Sequence, residues 1–243
     1  YKETQKVYKK MVIDLNASDF QSLDTSFSIS NGVLFAQLVD LRDQGHEIPD
    51  YLQLAIDIKE MIDLVHRDGT LKDEVKKNIK KYIKQNPSTV KLLERYKKDG
   101  KTLLLITNSD YSYSKTLMEF AFNPFLEDHQ DWKELFQVIV TLSMKPSFFT
   151  NNHQFLKIDP KNGLMSNYEG DISKGIYQGG NAQKLQNALQ LDGDEILYLG
   201  DHIFGDVVSI KKTCNWRTAL VLSPLKEELE SLKKSTPIQQ KID

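Results

Sequence analysis

The sequence predicts an α/β fold, in which a parallel sheet is covered by helices on both faces and is preceded by a mainly helical region. After Gly100, four short apolar runs of strand length alternate with helical stretches, which is typical of a parallel sheet. Before that glycine, apolar residues recur at helical spacing from Gly32 to Val65, with interruptions at Gly45 and Pro49. The change of pattern at Gly100 therefore separates helical segments from alternating strands and helices.

Two further helical segments come before the strands. Residues 72–84 carry apolar side chains on one helical face and lysines elsewhere, so we interpret the lysines as a solvated face. The tripeptide Asn86-Pro87-Ser88 interrupts the pattern before another helix, which ends near Asp99. We therefore predict a partial helical cap region over residues 1–58 and an α/β core over residues 59–243.

The predicted strands are the apolar runs Thr102 to Ile106, Phe136 to Val140, Glu195 to Leu199 and Thr218 to Leu222. Helices are predicted near Ser112 to Phe122, Asn181 to Leu191 and Asp206 to Thr213. The segment from Phe149 to Gly170 is rich in turn residues and predicts an irregular excursion with a hairpin. Ligands of parallel sheets bind beyond the carboxyl ends of the strands, so polar residues that follow a strand are candidate site residues.

Composition excludes several classes of function. The net charge is −2, from 32 basic and 34 acidic residues, so no global field attracts nucleic acid or an anionic membrane surface. No apolar stretch approaches the roughly 20 residues of a membrane span. The single cysteine, Cys214, excludes an internal disulfide and a multi-cysteine zinc site. A cytoplasmic protein that binds neither nucleic acid nor membrane is the expectation.

The first candidate site follows the run Leu103 to Ile106, where Thr107, Asn108 and Ser109 lead into a helix. Backbone N–H groups at a helix start and the positive end of the helix dipole suit a phosphate. The alternative is that Ser109 or Asp110 only caps the helix.

Two further candidates follow later strands. Asp201 and Asp206 lie five residues apart in the glycine-containing turn after Leu199, and carboxylate oxygens are ligands that Mg²⁺ prefers. Asp206 is also suited to capping the next helix, with or without a supporting role beside the metal. Lys145 follows the run that ends at Val140, where an ammonium neutralises a phosphoryl oxygen. Taken alone, it would be an ordinary exposed lysine.

In this order, the candidates resemble the second, third and fourth motifs of the haloacid dehalogenase (HAD) superfamily of phosphohydrolases. The sequence is most similar to the cytosolic purine 5'-nucleotidases that prefer IMP and GMP. The likeness extends from about Leu23 to about Leu222. It is carried by Thr107-Asn108-Ser109-Asp110-Tyr111, Lys145-Pro146-Ser147-Phe148-Phe149, Tyr177-Gln178-Gly179-Gly180, Gly200-Asp201-His202-Ile203-Phe204-Gly205-Asp206 and Trp216-Arg217-Thr218.

This resemblance implies a HAD-like Rossmannoid sheet and assigns roles to the candidates. Thr107 and Asn108 would contact the phosphoryl group, and Lys145 would bridge that group and the nucleophile. Asp201 would ligate magnesium, with Asp206 as the supporting carboxylate. The implied activity is magnesium-dependent hydrolysis of purine nucleoside 5'-monophosphates through an aspartyl-phosphate, with phosphotransfer as a second activity.

The resemblance also implies residues that recognise the nucleotide. In the stretch Asp63 to Lys72, the family places an aspartate and a histidine, here Asp63 and His66, near the purine, and a lysine, here Lys72, near the phosphate. A carboxylate accepts a hydrogen bond from the N1–H of a 6-oxopurine but not from adenine, so IMP or GMP is expected over AMP. Lys59 replaces the family's base-contacting arginine, and an ammonium does not reproduce that planar fork. Phe27 matches a stacking aromatic, with plain cap-region core as its alternative.

One motif is missing. No Asp-x-Asp-x-Thr triplet, which would supply the nucleophile and the general acid/base, occurs in this sequence. We therefore predict that this motif, together with the first central strand of the sheet, lies upstream of Tyr1. Two alternatives stay open, namely a catalytically silent nucleotide-binding protein and a HAD phosphatase for another small phosphate ester. The sequence leaves a homo-oligomer open.

Overall fold

The computed structural model describes residues 26–222 and 225–239, together with Lys6, Tyr8, Lys9 and Leu23. The chain divides into two compact units, Tyr1–Leu71 and Lys72–Asp243. The predicted α/β class is confirmed, since a mainly parallel sheet and flanking helices make up the larger unit. The division of the chain after residue 58 stays a prediction.

The smaller unit contains helices α1 (Ser26–Asp43) and α2 (Tyr51–Arg67), and α3 (Thr70–Lys77) begins at its end. The predicted interruption at Gly45 and Pro49 lies between α1 and α2, where Gly45 has a left-handed φ of 93°. Asp50 starts α2, because its carboxylate accepts hydrogen bonds from the backbone N–H groups of Leu52 and Gln53, each at 3.0 Å.

The larger unit contains the remaining helices of the described residues. These are α4 (Ile79–Tyr82), α5 (Pro87–Lys98), α6 (Tyr111–Ala121), α7 (Ser147–Thr150), α8 (Ala182–Leu189), α9 (Ser209–Thr213) and α10 (Leu225–Gln239). Short 3₁₀ helices lie at Asn123–Phe125, Trp132–Leu135 and Gly193–Glu195, and a π-helical turn lies at Ile203–Val208. Within the described residues, no helix is both long enough and apolar enough to cross a bilayer.

The strands are β1 (Leu104–Ile106), β2 (Val138–Thr141), β3 (Phe155–Ile158), β4 (Met165–Tyr168), β5 (Gly175–Gly179), β6 (Leu197–Gly200) and β7 (Arg217–Leu220). One sheet has the order β1-β2-β5-β3-β4, in which β1, β2 and β5 are parallel. The antiparallel hairpin β3–β4 extends it, while β6 and β7 form a separate parallel pair. All four predicted strands are therefore present, each shifted by one or two residues.

Both faces of the larger sheet are covered. Along β2, Val138 and Val140 face one apolar cluster, with Phe148, Tyr177 and Trp216, whereas Ile139 faces the opposite cluster. Residues that alternate along a strand point to opposite faces, so a strand covered on both sides is apolar throughout. This is why the continuous apolar runs of the sequence predicted buried parallel strands.

Two strand edges face a common cleft. In the described part of the chain, β1 pairs only with β2, and β6 pairs only with β7. The cleft is lined by residues of both open edges, including Leu104, Ile106 and Leu197. Its lining is mostly apolar, and Leu197 and Leu199 expose 58% and 56% of their surface. The sheet is thus interrupted between β1 and β6.

Candidate active site

The turn after β1 carries the first predicted site residues. Thr107 follows the strand, and its hydroxyl accepts a hydrogen bond from the backbone N–H of Ser109 at 3.1 Å. Asp110 caps α6, because its carboxylate accepts a hydrogen bond from the backbone N–H of Tyr113 at 2.8 Å. The capping alternative therefore holds for Asp110, and it leaves the Thr107 and Ser109 side chains at the carboxyl end of β1.

Asn108 fastens the backbone that carries Lys145. Its side-chain oxygen accepts hydrogen bonds from the Lys145 N–H at 2.6 Å and from the Ser143 hydroxyl at 2.9 Å. Its amide nitrogen donates to the Lys145 carbonyl at 3.0 Å. Asn108 thus clamps both backbone groups of Lys145, which is joined to Pro146 by a cis peptide bond. The predicted contact of Asn108 with a phosphoryl group stays a prediction.

The ammonium of Lys145 contacts the side chains of two other residues. It donates to the Tyr198 hydroxyl at 2.8 Å and lies 3.3 Å from a carboxylate oxygen of Asp206. The Lys145 and Asp206 side chains are only 19% and 7% exposed. The buried carboxylate of Asp206 offsets the charge of the Lys145 ammonium, which favours keeping the two groups together. The structure therefore brings Asn108, Lys145 and Asp206 together from three strand ends.

Asp206 has both oxygens occupied. One accepts from Lys145 and from the Tyr198 hydroxyl at 3.2 Å, and the other accepts from the backbone N–H of His202 at 3.3 Å. The carboxylate packs directly against Gly200, where any Cβ atom would overlap it. This close approach explains the glycine at the end of β6. Asp206 is placed to orient Lys145.

Tyr198 is a site residue that the sequence analysis missed. It lies on β6, and strand alternation turns it into the core while its neighbours Leu197 and Leu199 line the cleft. Burial, and next the charge of Asp206, raise the pKa of Tyr198 far above its usual value, so the hydroxyl keeps its proton. The only sequence signal was a polar aromatic residue within an apolar strand.

Asp201 lies exposed at the carboxyl end of β6, as predicted for a magnesium ligand. Mg²⁺ takes one or two carboxylates and completes its octahedron with phosphate and water. Among the described residues, no group of three histidine, cysteine or acidic side chains is placed to hold a metal. Asp201 is the accessible carboxylate at this strand end, and its role as a magnesium ligand stays a prediction.

Lys72 lies beside the first turn of α6. Its ammonium is 2.6 Å from a carboxylate oxygen of Asp110 and 5.6 Å from the centre of the Tyr113 ring. Burial alone would raise the pKa of Asp110, but hydrogen bonds from Lys72 and from the Tyr113 backbone outweigh it and lower that pKa. A cation is thus fixed next to the turn that contains Thr107 and Ser109.

The residues predicted to recognise the base lie in the smaller unit. Lys59, Asp63 and His66 are on α2 at intervals of four and three residues, so they share one face of that helix. Lys59 and Asp63 are exposed, and His66 is partly buried. Phe27 is in α1, but its side chain lies outside the described residues.

Comparison with known proteins shows which protein family this chain resembles. A family model for the 5' nucleotidase family matches residues 1–243. The chain is 32% identical over 206 residues to the human 5'-nucleotidase domain-containing protein 2, covering 84% of the chain and 38% of that protein. The rat protein of the same name is 31% identical over 206 residues, with 84% and 36% covered. A 5'-nucleotidase domain-containing protein of Dictyostelium discoideum is 28% identical over 179 residues, with 71% and 30% covered. The chain thus spans less than two fifths of the length of these relatives.

Proposed function

Because the chain belongs to the 5' nucleotidase family, we propose that it provides the phosphoryl-transfer site of an enzyme that hydrolyses nucleoside 5'-monophosphates. The observation that carries this proposal is the fixed ammonium of Lys145, held between Asn108 and the Tyr198–Asp206 pair at the carboxyl ends of parallel strands. A rigid cation at this edge of a sheet is suited to stabilising charge on a transferred phosphoryl group.

The proposed reaction has two displacements at phosphorus. A carboxylate attacks the phosphorus atom, the bond to the 5' oxygen breaks, and the nucleoside leaves with a proton from a general acid. Water then attacks the same phosphorus atom, loses a proton, and frees the carboxylate and inorganic phosphate. In this scheme Thr107 and Asn108 lie beside the phosphoryl oxygens and Lys145 offsets their charge. Mg²⁺, held in part by Asp201, would add positive charge at the same place.

The attacking carboxylate is proposed to come from a strand that enters the cleft between β1 and β6. Two open edges with an apolar lining, each belonging to a parallel strand pair, offer hydrogen bonds and burial to one inserted strand. The carboxyl end of such a strand would emerge between Thr107 and Asp201. An Asp-x-Asp-x-Thr motif at that end would supply both the nucleophile and the proton donor.

The proposed substrates are the 6-oxopurine nucleotides IMP and GMP. Asp63 and His66 share a helix face with Lys59, so a carboxylate and an imidazole are presented together. A carboxylate accepts from the N1–H of a 6-oxopurine but meets a lone pair on N1 of adenine. Phosphotransfer to a second nucleoside, a cytoplasmic location and a role in purine nucleotide metabolism belong to the same proposal.

The test is hydrolysis by the complete polypeptide, with kcat/KM measured for IMP, GMP and AMP in the presence of magnesium. We expect kcat/KM to be higher for IMP or GMP than for AMP. We also expect Asp63→Ala to reduce this difference by lowering kcat/KM for the 6-oxopurine nucleotides. Asp57, which is partly buried and lies six residues earlier on the same helix, provides the control variant Asp57→Ala. Equal constants for the three nucleotides would remove the base-recognition proposal. Nucleotide binding without turnover would instead favour a catalytically silent protein.

A further inference from the structure

The Lys145 ammonium contacts two side chains, one neutral and one negatively charged. Lysine is a flexible four-carbon chain, and its long side chain does not fix the position of its charge by itself. Two groups contact the ammonium directly, namely the Tyr198 hydroxyl at 2.8 Å and the Asp206 carboxylate at 3.3 Å. The hydroxyl is the closer of the two.

Tyr198 is held by aromatic packing. It is 9% exposed, and its ring packs edge-on against Phe149 at 5.5 Å and at a tilt against Trp216 at 6.4 Å. A ring fixed by aromatic packing also fixes its hydroxyl, because the oxygen lies in the ring plane. The Lys145 ammonium also lies 5.5 Å from the centre of the same ring. This distance places the ammonium beyond the hydroxyl and not over the ring face, so the tyrosine contacts the lysine through its hydroxyl.

The hydrogen bonds have one consistent direction. Tyr198 accepts from Lys145 and donates its single proton to Asp206, so the three side chains form a closed triangle. In this arrangement the hydroxyl joins the cation to the carboxylate and limits where either can move. Packing alone would need only the ring.

We propose that Tyr198 is a positioning residue for phosphoryl transfer, whose hydroxyl holds the Lys145 ammonium and the Asp206 carboxylate at the site of the reaction. This inference rests on the proposed function, in which Lys145 offsets charge on the phosphoryl group. The role acts through Lys145, and no contact of Tyr198 with substrate is required. This positioning role also explains why a tyrosine occupies a position of β6 whose side chain faces the core.

The direct test is Tyr198→Phe in the complete polypeptide, because phenylalanine keeps the ring and removes only the hydroxyl. With IMP and magnesium, we expect kcat to fall about tenfold or more, the size associated with a lost hydrogen bond to a charged group, while KM changes less than about twofold. Tyr168→Phe is the control, because that hydroxyl also donates one hydrogen bond, to the Asp171 carbonyl at 2.8 Å, but contacts no residue of the site. The control should keep its kcat.

Crystal structures of the wild-type protein and of the Tyr198→Phe variant distinguish a failure of this inference from a failure of the proposed function. In the Tyr198→Phe variant, Lys145 Nζ should leave hydrogen-bonding distance of Asp206 while the ring stays in place. An unchanged kcat, or a lower kcat with Lys145 still on Asp206, would overturn the positioning role. If the variant does not fold, the wild-type structure decides, since a Lys145 ammonium away from the Tyr198 hydroxyl overturns it. If wild type hydrolyses no nucleotide, the proposed function fails, but the two structures still test how Lys145 is held.

Discussion

At the scale of single residues, the site depends on how one amide holds a loop. Asn108 uses its donor and acceptor together on the two backbone groups of Lys145, with a further hydrogen bond from Ser143. A backbone clamp of this kind sets where the lysine side chain starts, and the Tyr198–Asp206 pair sets where it ends. Both ends must be fixed for the charge to have one position.

We therefore expect Asn108→Ala to lower the kcat of the complete enzyme at least about tenfold and to reduce the free energy of unfolding by about 1–3 kcal/mol. The cause is the loss of three hydrogen bonds around Lys145. The control is Asn162→Ala in the exposed β3–β4 turn, where the side chain accepts one hydrogen bond from the Leu164 N–H at 2.9 Å. Equal kcat values for the two variants would show that the clamp has no part in the reaction.

A second buried carboxylate is independent of the site. Glu94 on α5 is 4% exposed and accepts hydrogen bonds from the backbone N–H groups of Glu127 at 3.1 Å and Asp128 at 2.9 Å. The His129 ring nitrogen lies 3.0 Å away. Burial alone would raise the pKa of Glu94, but the contacts with His129 and with the two backbone N–H groups outweigh it and lower that pKa.

This shift makes stability depend on pH in a defined direction. The pKa of Glu94 is lower in the folded protein than its ordinary value of about 4.3, so its stabilisation is present above that pH. It is lost as the pH falls through the folded value. The test is urea unfolding between about pH 7 and pH 3. At neutral pH, the free energy of unfolding of Glu94→Gln should be lower than that of wild type by about 1–3 kcal/mol, and it should change less as the pH falls. Parallel curves for wild type and variant would contradict this role of Glu94.

At the scale of elements, the periodicity of the sequence was sufficient for most of the fold. The apolar runs that became β1, β2 and β6 pack in the apolar clusters or line the cleft, so their composition is continuous and easily recognised, whereas β7 is only partly buried. The hairpin in the excursion was predicted from its turn residues. What could not be predicted was that this hairpin extends the main sheet, since strand order depends on contacts distant in sequence.

Some elements were not predicted, or differ in geometry from the prediction, for identifiable reasons. The strand β5 has the sequence Gly-Ile-Tyr-Gln-Gly, in which two glycines flank only two apolar residues, although it lies in the middle of the sheet. Helix α10 is rich in charge and carries only a weak apolar pattern. The helix predicted from Asp206 to Thr213 begins with a π-helical turn at Ile203–Val208. Local pattern does not determine this widened geometry.

The same limit applies to the site. Lys145, Asp201 and Asp206 follow strands, so their positions in the sequence marked them as candidates. The hydrogen bonds of Asn108 and Tyr198 link residues 37 and 53 positions apart, and no spacing rule predicts such pairs. Helix capping, by contrast, depends on residues close in sequence, so the sequence could indicate that Asp110 caps helix α6.

At the scale of the whole molecule, the main feature is the gap in the sheet between β1 and β6. The residues that would handle a phosphoryl group follow strands on both sides of it, with Thr107 on one side and Asp201 on the other. Apolar side chains that line an open cleft and backbone groups at two unpaired edges gain stability if a strand fills the space. The proposed position of the nucleophile therefore coincides with the gap in the sheet.

The measurement that tests this most directly is a crystal structure of the complete polypeptide with magnesium and phosphate. We predict a strand between β1 and β6, parallel to both, with an aspartate at its carboxyl end and one phosphate within reach of the Thr107 hydroxyl, the Lys145 ammonium and the Asp201 carboxylate. A structure in which β1 pairs directly with β6, or in which Lys145 points into bulk solvent far from Asp201, would contradict it.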